Sequence, residues 1–149
     1  MKIAIASDHG GYDLKKDLIP FLTSLGYQVS DEGPFSTEAV DYPDFAYAVG
    51  RRIQDRTSEI GIMIDGAGLG SAMALNKMKG ILAAPCHNEF TARNARQHNH
   101  ANVLTLGSRD IGLETAKSVV KAFLTAVPEP GRHEARVEKI RQIEERFFR

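Results

Sequence analysis

The stretch Glu59–Lys77 constrains this chain more than any other. It opens on Ile60-Gly61-Ile62-Met63-Ile64, a short apolar run rich in β-branched residues, the composition of a strand buried on both faces. Gly66, Gly68 and Gly70 follow at alternate positions, and the residues from Ser71 onward favour a helix and contain no breaker. Strand, glycine-rich turn and helix in that order aim backbone N–H groups above the strand's carboxyl end, an arrangement suited to an anion or a developing oxyanion. Asp65 stands at that strand end, where open α/β sheets place their ligands. The glycines do not have the spacing G-x-G-x-x-G, and no G-x-x-x-x-G-K-[ST] occurs, so the turn is not a nucleotide fingerprint. A carboxylate beside the turn repels phosphate and suits proton transfer better. Its plainer role is to cap the helix.

Strand and helix alternate along the whole chain. Strands are expected at Lys2–Ala6, Tyr27–Ser30, Ile60–Ile64, Ile81–Pro85 and Val103–Leu106. Apolar residues at helical spacing predict helices over Tyr12–Leu25, from Asp41-Tyr42-Pro43-Asp44 onward, from Ser71 onward, and over Phe90–Gln97, Ile111–Ala126 and His133–Phe148. Pro20 predicts a kink or break in the first helix. The pattern reads as one α/β domain over residues 1–149: a doubly wound five-stranded parallel sheet in three layers, α/β/α. The expected strand order is 2-1-3-4-5, with a ligand crevice between strands one and three. Asp8-His9 and Asp65-Gly66-Ala67 then face each other across it. The last helix has no strand left to cover. Its apolar face (Val137, Ile140, Ile143, Phe147) is expected to pack on an irregular part of the same subunit or on a second copy, the favoured expectation being a symmetric dimer.

A formal net charge of zero argues against a nucleic-acid or membrane role driven by bulk charge. No apolar run reaches the length of a membrane span, and the start of the chain lacks the pattern of a signal peptide. A single cysteine, Cys86, excludes an internal disulfide framework. These features fit a cytoplasmic enzyme or binding protein.

Asp8, His9, Asp65 and His87 all fall at carboxyl ends of strands, which points to a site at that edge. His98, Asn99 and His100 lie in the turn before strand five. His98-x-His100 does not read as a metal site, because an extended segment points the two rings apart and no H-E-x-x-H occurs. Cys86 reads as a small buried hydrophobe. Arg132 and Arg136, four apart at the start of the last helix, share a face and make a phosphate clamp. The plainer alternative is a solvated face neutralised by Glu134, Glu138, Glu144 and Glu145.

Six motifs occur together and in order: Ser7-Asp8-His9-Gly10-Gly11, Asp41-Tyr42-Pro43-Asp44, Gly66-x-Gly68-x-Gly70, Arg96-Gln97-His98-Asn99, Leu106-Gly107-Ser108-Arg109 and Gly131-Arg132-His133-x-x-Arg136. In these the chain resembles type B ribose-5-phosphate isomerases and the related galactose-6-phosphate isomerase subunits, over essentially its whole length. The resemblance implies a Rossmann-like fold, a homodimer or tetramer with sites between subunits, and cofactor-free aldose–ketose isomerisation of a phosphorylated sugar. It implies that Asp8 and His9 contact substrate, that Tyr42 lines the pocket and that Gly66, Ala67, Gly68 and Gly70 form the turn beneath it. It further implies that His98 assists ring opening, Asn99 holds the reacting oxygens, and Arg132 and Arg136, with His9, bind the phosphate. The chain departs from the family at two positions. Where those isomerases usually carry a cysteine base, it has Asp65; where they usually carry a threonine, it has Ala67. A carboxylate is a weaker base than a thiolate but reaches roughly 1 Å further, and carboxylates move protons in other isomerases. The expectation is therefore an isomerase with Asp65 as base. The alternative is a non-catalytic sugar-phosphate-binding protein, or the partner subunit of a hetero-oligomeric isomerase. A receiver-like signalling domain shares the expected strand order but leaves the paired arginines and His98-Asn99 without a role.

Overall fold

The computed structural model describes residues 1–148. Five parallel strands form one sheet: β1 (Lys2–Ser7), β2 (Gln28–Asp31), β3 (Ile60–Asp65), β4 (Ala83–Pro85) and β5 (Val103–Gly107). Six helices complete the chain: α1 (Tyr12–Ser24), α2 (Tyr42–Gln54), α3 (Leu69–Leu75), α4 (Glu89–Gln97), α5 (Leu113–Thr125) and α6 (Arg132–Phe147). The period-two alternation of each strand sorts the side chains into two cores. Ile3, Ile5, Ile62, Ile64, Leu104 and Leu106 face α1, α4 and α5. Ala4, Ala6, Met63 and Val103 face α2 and α3. The doubly wound three-layer architecture read from the sequence is the one observed.

The strand order is not. The sheet runs β2-β1-β3-β5-β4, so β5 lies beside β3 and β4 takes the edge, in place of 2-1-3-4-5. The reason lies in the two strands. Val103–Gly107 is buried at every position and pairs on both sides, whereas Ala83–Pro85 is three residues long and partly exposed. Pro85 has no N–H for a further ladder, so its strand belongs at an edge. The order still reverses between β1 and β3, with Ser7 in register with Ile64.

Helix α1 is unbroken across Pro20. The proline sits on the exposed face, so the carbonyl it leaves without an intrahelical donor is open to water. Only Val137 of α6 is buried. Gly80 N–H donates to Glu144 Oε1 (2.9 Å), and Lys79 pairs with Glu145 (3.2 Å), holding α6 beside the start of β4. Between β4 and α6 runs an open groove of about 500 Å³ whose lining includes Leu82, Ala84, Pro85, Ile140, Ile143 and Phe148. No helix is long and apolar enough to cross a membrane among the described residues.

Gly61 sets the spacing between β3 and α2. A Cβ there would lie 2.4 Å from Val49 Cγ1 and 3.1 Å from Val103 Cγ2. Gly61→Val is expected to destabilise the fold by about 1–3 kcal/mol, read as a lower midpoint in urea denaturation. An unchanged midpoint would show that the helix does not pack on this glycine.

Candidate active site

The carboxyl edge of the sheet is built around the turn after β3. Asp65, itself buried, accepts hydrogen bonds from Gly68 N–H on Oδ1, and from Ser71 N–H (3.0 Å) and Ser71 Oγ (2.6 Å) on Oδ2. The carboxylate therefore curls the chain from strand into α3. Gly68 adopts φ +76, which favours glycine, and a Cβ there would press within 3.0 Å of the Leu106 backbone. Its carbonyl accepts Thr105 Oγ1 (2.6 Å) from β5. Tyr42 closes the other side, its ring lying where a Gly70 Cβ would stand, 2.4 Å from Cζ. The turn thus uses two of its own N–H groups to satisfy Asp65. Those of Leu69 and Gly70, in the first turn of α3, have no intrahelical acceptor.

The turn after β1 lies against this loop. Asp8 N–H donates to Ile64 O (3.0 Å), and Asp8 Oδ1 accepts from Gly11 N–H (2.9 Å). His9 Nδ1 accepts from Val40 N–H (3.2 Å), tying the histidine to the segment that leads into Tyr42. Beneath that segment Lys15 is buried, donating to Asp31 (2.8 Å) and Pro34 O (2.6 Å). After β5, Ser108 N–H donates to Asp65 O (2.8 Å), Arg109 N–H to Gly66 O (3.0 Å) and Ser108 Oγ to Gly10 O (2.9 Å). Asp8, His9, Tyr42, Asp65, Gly66, Ala67, Gly68 and Gly70 therefore share one edge.

His98, Asn99, Arg132 and Arg136 are not there. The turn holding His98 and Asn99 precedes β5, and Asn102 O accepts from Gly61 N–H (2.9 Å) at the opposite end of β3. Five residue steps of strand put about 16 Å between the two edges. His98 packs on α6 instead: its ring stacks on His133, with centroids 3.8 Å apart and planes 4° from parallel. Glu129 Oε1 lies 3.4 Å from His98 Nε2 and 3.6 Å from His133 Nε2, and Asn94 Nδ2 lies 2.9 Å from His98 Nδ1. Burial, then the neighbouring His98 and Arg132, push the His133 imidazole below its usual range. Arg132 and Arg136 are exposed and have no ion pair among the described residues.

The ligand atoms of His98, Glu129 and His133 fall within 4.8 Å of one another. The stacking does not suit a shared metal. Imidazole lone pairs lie in the ring plane, and an ion midway between parallel rings would sit about 1.9 Å outside both. His100 turns away, with Nε2 2.9 Å from Glu129 O.

Sequence reasoning did not assign Ser71, Thr105, Glu129 or His133 to either edge. Ser71 meets Asp65 only because the loop folds back, and Glu129 meets His98 across a connector with no periodic signal. Arg109 was visible within a motif but had no assigned role.

The fold and this edge define a class: doubly wound α/β proteins with a glycine-rich turn after the third strand and ionisable side chains around it. The chain belongs to the Ribose/Galactose Isomerase family, whose pattern matches residues 3–140. It is 44% identical to ribose-5-phosphate isomerase B of Escherichia coli over 145 residues, 97% of each chain. The structure of Clostridium thermocellum ribose-5-phosphate isomerase B superposes with a TM-score of 0.97, at 47% identity over 99% of both chains. The Mycoplasma genitalium ribose-5-phosphate isomerase B with bound ribulose-5-phosphate superposes with a TM-score of 0.92, at 43% identity over 97% of this chain and 96% of that one.

Cys86 follows the edge strand β4, two strands away from Asp65, and is buried. Burial pushes its thiol up to about 11, against a weaker lowering by Thr91. It is expected to resist iodoacetamide at pH 8 in the native protein and to react once urea unfolds the chain. Rapid native labelling would contradict this placement.

Proposed function

We propose that this chain isomerises a phosphorylated sugar between aldose and ketose through an enediolate, at sites formed between two copies of itself. The substrate is ribose 5-phosphate with ribulose 5-phosphate, or a related tetrose or hexose phosphate. Whole-length relatedness to ribose-5-phosphate isomerases B carries this reading, including the relative whose structure holds ribulose-5-phosphate.

The geometry supports the division of labour. One copy offers Asp8, His9, Tyr42 and the Asp65–Gly70 turn at its carboxyl edge. The other offers His98, Asn99, Arg132 and Arg136 from its opposite edge. Two guanidiniums without ion pairs among the described residues suit a phosphate dianion, with His9 reaching it from the facing edge. His98 moves the proton that opens the furanose ring, and Asn99 holds the reacting oxygens. Asp65 then takes the proton from C2 and returns it to C1. A carboxylate has about four lone-pair sites. Oδ2 already takes two donors and Oδ1 one, so Oδ1 is the oxygen available for this step. The free N–H groups of the turn stabilise the enediolate oxygen that Ala67, lacking a hydroxyl, does not reach.

One observation favours a second reading. The three donors that Gly68 and Ser71 place on Asp65 are what a purely structural cap would show, and with Ala67 they fit a sugar-phosphate-binding or partner subunit without its own turnover. The two readings separate on the purified chain, assayed alone on four-, five- and six-carbon sugar phosphates. The isomerase reading expects turnover of at least one. It also expects Asp65→Asn to lose about 10²–10⁴-fold in kcat while the sugar phosphate still raises the melting temperature. Turnover of none, with thermal stabilisation intact, would establish the binding subunit instead.

A further inference from the structure

His87 and Asp110 have no part in the scheme above. His87 follows β4 and Asp110 follows β5, both at the carboxyl edge. His87 Nε2 is shielded from solvent, has no hydrogen-bond partner among the described residues and lies 3.5 Å from Asp110 Oδ2, within ion-pair distance. With Gly66, Ala67, Leu69 and Arg109, these two side chains line a cavity of about 560 Å³. Arg109 is held against the turn by its N–H bond to Gly66 O. An imidazole near a carboxylate, an arginine and the backbone of Gly66 and Ala67 thus border one open space, directly beside the turn on which the enediolate is placed.

We propose that His87, oriented by Asp110, carries the oxygen-bound proton of the isomerisation in place of the hydroxyl that Ala67 lacks. The proposal rests on the isomerase reading. Converting an aldose to a ketose moves two protons, one from C2 to C1 and one from O2 to O1. Asp65 handles the first. When it removes the C2 proton, the C–H electrons form the C1=C2 double bond and the carbonyl electrons settle on O1, leaving O2 protonated. In this scheme the nearby Asp110 carboxylate favours the ring proton on Nε2, and Nδ1 is the nitrogen with a free lone pair. Nδ1 takes the proton from O2, Asp110 balances the imidazolium formed, and the same proton passes to O1. Asp65 then returns its proton to C1 as C2=O forms. Both side chains finish as they began, and no oxidant or further reactant is consumed.

The test separates carbon-proton transfer from turnover. The unaltered protein and His87→Gln are each incubated with ribose 5-phosphate in D2O, and NMR follows both ketose formation and deuterium appearing at C2 of the remaining aldose. The glutamine can still hydrogen-bond Asp110 but cannot relay a proton. Turnover is expected to fall about 100-fold. Exchange at C2 falls far less, so that in the variant exchange outruns isomerisation. Asp110→Asn is expected to shift the same ratio in the same direction by a smaller factor, and it carries the test if His87→Gln melts early. Normal turnover by a folded variant overturns the proposal, as does an equal loss of exchange and turnover. Absence of turnover by the unaltered protein would remove the isomerase reading and the proposal with it. Normal turnover by His87→Gln beside an active unaltered protein would remove the proposal alone.

Discussion

Two backbone N–H groups and a serine hydroxyl converge on the buried carboxylate of Asp65, and the working edge of the sheet takes its shape from that convergence. A buried carboxylate without donors would be strongly unfavourable, and the first N–H groups of a helix without acceptors would be too. Each here satisfies the other. The result fixes where the chain leaves β3 and where α3 begins. It also brings Gly68 against β5 and Gly70 under Tyr42, contacts that leave no room for a Cβ. Asp65 is thus a structural part of the turn. It gives the turn an internal anchor that a thiol, with its weak hydrogen bonding, would not supply.

The second constraint is topological. In a parallel sheet, residues after strands collect at one edge and residues before strands at the other. Asp8, His9 and Asp65 follow strands, whereas His98 and Asn99 precede β5. Arg132 starts the helix whose His133 stacks on His98, so the arginines go with the second group. No rotamer change brings groups about 16 Å apart into one pocket. If all of them act on a single sugar phosphate, two chains must meet. Within one chain, Ile140, Ile143 and Phe147 of α6 stay exposed and the groove along the short edge strand stays open.

Much of this was legible in the sequence, for physical reasons. Short continuous apolar runs against stripes in period 3.6 gave the three layers, and the glycine-rich turn after β3 stood where it was expected. The exchange of β4 and β5 was not read, although Pro85 marks an edge strand; the strand expected over Ile81–Pro85 forms only over Ala83–Pro85. Sequential placement was simply the default for two apolar strands of similar look. The partners of individual polar groups were beyond reach. Ser71 caps Asp65 from six residues away because Gly68 turns left-handed, and Glu129 reaches His98 from a connector without periodicity. Such contacts depend on loop paths, which composition and spacing do not determine.

The central claim is that one site draws on two chains, and mixing of inactive variants tests it most directly. Asp65→Asn and His98→Asn are each purified, shown to be inactive, unfolded together in equal amounts and refolded. In a shared-site dimer, half of the products are hybrids, and each hybrid has one site with both residues intact. Activity should therefore return to about a quarter of that of the unaltered protein. No recovery from well-folded, mixed dimers would mean that no site takes Asp65 from one chain and His98 from the other.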